Sequence, residues 1–141
     1  MTGLLWVNTQ TESQVSAVIG RKGGTLTLGG QVTLTVPAGA VQSDTRFVIK
    51  RLPGLLVAYD FEPHGTTFDK PLVLVQSTNG TNFSSWRAPN VRGAYFPDNS
   101  LIDQLLGRAL VSEFRPTTVA RNGSSISFTI DHFSGYMVSM D

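Results

Sequence analysis

Two histidines and ten carboxylates carry most of the acid–base chemistry open to this chain, and it has no cysteine. The densest group is Asp60, Glu62, His64 and Asp69. If residues 55–61 form a strand, Asp60 and Glu62 project to one face, while His64 follows in a turn beyond Pro63. Those donors then have the geometry to share an ion. A solvated strand end and turn is the ordinary explanation of such a group, so no metal is expected. Ser134, His132 and Asp131 have the residue types of a nucleophilic triad, but near-adjacent residues do not easily converge on one substrate atom, and there is no G-x-S-x-G elbow. Gly20-Arg21-Lys22-Gly23-Gly24 has the composition of a phosphate loop. It runs into a strand pattern and lacks the helix whose N-terminus would hold the anion, so a plain loop is expected. With no cofactor motif in the chain, no cofactor is expected.

The elements that must position these residues are those of one ordinary domain. The chain has 141 residues, 40% of them hydrophobic, and 11 basic against 10 acidic side chains, which places it among globular chains with a real core. The basic residues are scattered, with Arg21-Lys22 and Lys50-Arg51 the only adjacent pairs, so no stripe exists to neutralise a run of phosphates and no nucleic-acid partner is expected. No apolar run approaches a membrane span, and the short run at residues 4–7 lacks the flanks of a signal peptide, so neither membrane insertion nor export is expected. The glycosylation patterns at Asn79, Asn82 and Asn122 carry little meaning without export.

Short alternating runs bounded by Gly, Pro, Asn and Asp recur along the chain and predict an all-β antiparallel sandwich. Residues 25–28 and 32–36 alternate with period two around Gly29-Gly30 and predict a hairpin. Further strands are expected at 47–50, 55–61, 72–76, 109–114, 125–130 and 136–140, with Asn122-Gly123 as a turn. Asp98-Asn99-Ser100 before Leu101, Ile102, Leu105, Leu106 and Gly107 predicts one short helix. Residues 1–17 are expected to form an N-terminal arm and residues 18–141 a single domain. Residues 77–97 are polar and turn-rich, an excursion expected to carry edge strands or a contact surface. Trp6, Phe83, Trp86, Arg87, Arg92, Tyr95 and Phe96 lie in the arm and the excursion and have the composition of an interface core, so they are the expected partner-binding residues.

Three pieces line up in order: Gly23-Gly24-Thr25-Leu26-Thr27-Leu28, then residues 32–41 with Val36-Pro37-Ala38-Gly39-Ala40, then Phe61-Glu62-Pro63-His64-Gly65-Thr66-Thr67-Phe68-Asp69-Lys70-Pro71-Leu72. Together they resemble the ZU-five domain, the β-sandwich module of ankyrins, netrin receptors and tight-junction scaffolds, over residues 18–75. The resemblance implies a binding or scaffolding module rather than an enzyme. A fourth piece, His132-Phe133-Ser134, is similar to the sequence at which some ZU-five relatives cleave themselves. There Ser134 would attack the Phe133 carbonyl while His132 takes the hydroxyl proton. The plainer reading is a turn at Asp131-His132, with Phe133 plugging the core.

The expected function is therefore that of a non-catalytic structural protein docking on a larger assembly, foremost a virion decoration or cement protein on a capsid lattice assembled in the host cytoplasm. Its partner would be a major coat or lattice protein, with a homo-oligomer as a further expectation. The alternatives are self-cleavage between Phe133 and Ser134, and a soluble or surface protein-binding module; the alternative location is cytoplasmic.

Overall fold

Leu26 and Leu28 alternate with Thr25 and Thr27, and Val32, Leu34 and Val36 with Thr33 and Thr35. In a pleated strand that pattern puts every apolar residue on one face. The computed structural model, which describes residues 3–64, 66–83, 91–96, 102–103, 108–109, 113–115, 117–133 and 135–139, realises it as β3 (Gly24–Leu28) and β4 (Val32–Val36). Leu26 stands opposite Leu34 and Leu28 opposite Val32, with all four buried and the threonines facing out. Gly29 and Gly30 both have positive φ, as a type I′ turn asks of its central pair. Pro37 ends β4, and the amide of Gly39, also at positive φ, donates to Arg21 O at 2.8 Å.

The hairpin belongs to a five-stranded sheet ordered β13-β14-β8-β4-β3, where β8 is Thr67–Ser77, β13 is Thr118–Val119 and β14 is Ser125–His132. Opposite it lies a six-stranded sheet ordered β12-β9-β15-β7-β5-β2, built from β2 (Ser13–Ile19), β5 (Thr45–Arg51), β7 (Ala58–Glu62), β9 (Arg92–Phe96), β12 (Glu113–Arg115) and β15 (Gly135–Ser139). Every pairing is antiparallel. The core fills the space between the sheets: Leu34, Leu72, Leu74, Ile126 and Ile130 from one, Phe47, Ile49, Phe61 and Tyr136 from the other. Each such side chain contributes about 1.5–3 kcal/mol relative to leaving it in water. Gly93 of β9 lets the sheets meet closely, since a Cβ there would come within 2.6 Å of the Phe128 ring.

A smaller ribbon, β1 (Leu5–Gln10) with β6 (Gly54–Leu56), packs on the outer side of the six-stranded sheet through Leu5 and Leu56 against Ala58, Ala94 and Met137. Leu4 joins the layers: its amide donates to Val138 O at 2.8 Å, and its carbonyl accepts from Val57 at 2.9 Å.

The sandwich agrees with the sequence expectation, and several details differ. No helix occurs among the described residues. Within the stretch expected to be helical, Ile102–Asp103 (β10) pairs antiparallel with Arg108–Ala109 (β11), and residues 98–101 and 104–107 lie outside the described residues. A helix of about two turns is too short to hold itself by propensity, so strand pairing prevails. The single strand expected at 55–61 is split at Val57, whose amide leaves the ladder for Leu4 O, letting β6 pair with β1 while β7 pairs with β5 and β15. Asp131 and His132 continue β14 rather than forming a turn. Residues 1–17, expected as an arm, supply β1 and most of β2, and β2 pairs with β5 along its whole length. Within the excursion, β9 is an interior strand between β12 and β15.

Candidate functional site

The outward side chains of β7 are Ala58, Asp60 and Glu62, because Tyr59 and Phe61 take the core side. Asp60 is nonetheless only 6% exposed, the one charged residue among the buried described residues. The Glu62–Pro63 peptide is cis, and His64 lies back over Asp60, with Nε2 at 2.9 Å from Oδ1 and 2.8 Å from Oδ2. Glu62 and His64 are exposed, and one donor atom from each of Asp60, Glu62 and His64 lies within 4.8 Å of the other two. Beside them runs an open cleft of about 510 Å³ lined by Gln14, Arg46, Val48, Glu62, Pro63 and His64. Asp69 is not part of this group; its Oδ2 accepts from Gln42 Nε2 at 2.8 Å.

The second predicted location is the end of β14. His132 packs edge-on against Tyr95, with ring centroids 4.6 Å apart, and its Nε2 is 3.9 Å from Asp131 Oδ1. The His132 carbonyl accepts from the Tyr136 hydroxyl at 2.8 Å. Phe133 is 1% exposed and sits among Phe47, Phe61 and Phe68 at centroid distances of 5.5, 5.4 and 4.7 Å. Its amide donates to Thr66 O. Ser134 lies outside the described residues.

Of the expected partner-binding residues, Trp6, Phe83, Arg92 and Tyr95 have described side chains. Trp6 is 3% exposed within the core, and its Nε1 has no hydrogen-bond acceptor among the described residues. Phe83 and Tyr95 are half-buried against the core, and Arg92 is half-buried on β9. Trp86, Arg87 and the Phe96 side chain lie outside the described residues.

A surface that sequence reasoning did not single out is the outer face of the five-stranded sheet. Its registers align Thr25, Thr35, Val73 and Thr129 in one row, and Thr27, Thr33, Val75, Ser127 and Thr118 in the next. Neither row contains a charge. Directly opposed residues on neighbouring strands stand about 4.5–5.5 Å apart, so hydroxyl and methyl groups form a continuous field. Thr27 and Thr33 Oγ1 are 3.3 Å apart, and Val73 is 38% exposed. The signal was present in the off-beat threonines of T-L-T-L and V-T-L-T-V.

No family model matches the chain, and no curated protein matches it either.

Proposed function

We propose that this protein is a non-catalytic structural and interaction module, a ZU-five-like sandwich that docks on a larger protein assembly. The assembly we favour is a virus particle, on which the domain acts as a decoration or cement protein contacting the major coat protein. The observation that carries the docking reading is the uncharged Thr/Val/Ser field on the five-stranded sheet. Depletion of charge marks the centre of protein interfaces, and two hydroxyl-bearing rows offer hydrogen bonds without the desolvation cost of an ion.

The test is sedimentation of source material, following this chain by mass spectrometry. Docking predicts that it travels with large particles in fixed ratio to a more abundant protein. Purified Val73→Lys and Thr33→Lys variants, both altered on the outer face, should fold normally and fail to rebind stripped particles. A chain that remains at the top of the gradient overturns the capsid reading, and variants that rebind normally overturn the choice of face.

A further inference from the structure

Asp60 poses a problem of charge. A carboxylate taken out of water needs a partner of opposite sign together with hydrogen bonds to its remaining lone pairs. Lys50 stands opposite Asp60 in the β5–β7 register, yet no lysine or arginine among the described residues forms an ion pair with it. Arg46, which lines the neighbouring cleft, donates instead to Ser16 Oγ at 3.3 Å. Among the described residues, the polar contact to the Asp60 carboxylate comes from His64 Nε2, almost equidistant from both oxygens. One N–H serves one acceptor well, and an ionised carboxylate has about four acceptor sites, so the imidazole alone leaves most of them unmet. Glu62 adds a second carboxylate to the same small volume.

We propose that Asp60, Glu62 and His64 form a binding site for a divalent transition-metal cation of the zinc class. Protein donors would be one carboxylate oxygen from each acid and Nε2 of a neutral His64, with its proton on Nδ1. The imidazole selects against magnesium and calcium, which take all-oxygen shells. Donors at about 2.1 Å from one ion are at most about 4.2 Å apart. Asp60 and His64 already meet that limit, and Glu62, exposed at the strand end, closes the remainder by rotating its side chain. Water entering from the cleft completes the shell. Two carboxylates then balance the dication.

The experiment uses the full chain, first dialysed against a chelator and then titrated with zinc chloride by calorimetry, with the imidazole signals followed by NMR. Only two histidines exist, so His132 is an internal control. Binding of one ion per chain with perturbation confined to His64 is the expected result. Glu62→Gln and His64→Gln change exposed side chains, keep the fold, and should each weaken binding by at least about 10-fold, since losing even an outer-shell partner costs that much. Absence of saturable binding, an equal response at His132, or unchanged affinity in His64→Gln would each overturn the proposal. None of these outcomes bears on whether the opposite face docks on an assembly.

Discussion

The Tyr59 hydroxyl donates to Gln76 Oε1 at 2.6 Å, a buried hydrogen bond that runs from the six-stranded sheet to the five-stranded sheet. Gln76 is fully buried, and its Nε2 donates to Ser77 O at 2.8 Å, so the pair is satisfied only as a unit. Tyr59→Phe should destabilise the fold by about 1–3 kcal/mol, because it leaves a buried amide oxygen without a donor. Urea denaturation measures it, and Gln76→Leu added to Tyr59→Phe should recover part of the loss.

The same pair gives a pH dependence. Burial holds the Tyr59 phenol well above its ordinary value, against the lowering effects of the Gln76 hydrogen bond and the Arg51 charge. In the unfolded chain that phenol ionises near pH 10. Above about that pH the unfolded state binds fewer protons than the folded one, so stability falls as pH rises. The gap in urea midpoint between wild type and Tyr59→Phe should therefore narrow between about pH 9 and 11. A constant gap would mean that Tyr59 ionises equally in both states.

Phe133→Ala should cost about 3–5 kcal/mol, as expected for an aromatic ring removed from a packed core. Phe47, Phe61 and Phe68 all lose a ring partner. A thermal melt that moves by only a degree or two would contradict this packing.

Self-cleavage at Phe133-Ser134 is not expected, because the Phe133 ring and amide are both engaged in the sandwich. Intact mass of freshly purified protein should show a single full-length species, identical in behaviour to Ser134→Ala. Two fragments whose masses sum to the chain plus one water would instead favour the autoproteolytic reading.

Gly93→Ala should destabilise by about 1–3 kcal/mol through overpacking, since the added methyl meets the Phe128 ring. Gly80→Ala is a useful contrast: a Cβ there meets nothing within 4 Å, so any loss reflects its positive φ alone. Parallel denaturation curves separate the two causes.

Much of the sandwich was legible wherever one face is wet and the other dry. Leu26, Leu34 and Leu74 announce themselves by alternation with threonine or valine, and Gly29-Gly30 by turn chemistry. β2 was harder, because Val15, Ala17 and Ile19 alternate with Gln14, Ser16 and Val18 across a weak contrast in polarity. The split at Val57 was hidden, since Leu55, Leu56 and Val57 are uniformly apolar and only the distant Leu4 decides where the ladder breaks. For the candidate metal group, spacing showed that Asp60, Glu62 and His64 could converge. It could not show that Asp60 is buried, which depends on how the finished sheet is covered, nor that Asp69 turns away to Gln42.

The position of β15 bears on how the molecule comes into being. Among the described strands it comes last in sequence, yet it occupies an inner slot, bonded to β9 on one side and β7 on the other. Until β15 is in place, the β2-β5-β7 half and the β9-β12 half have no backbone connection within that sheet. Such distant pairing makes closure slow and all-or-none. A nascent chain interrupted before Gly135 would therefore be two unjoined fragments of a sheet with open edges, exposed to pairing with the wrong neighbour.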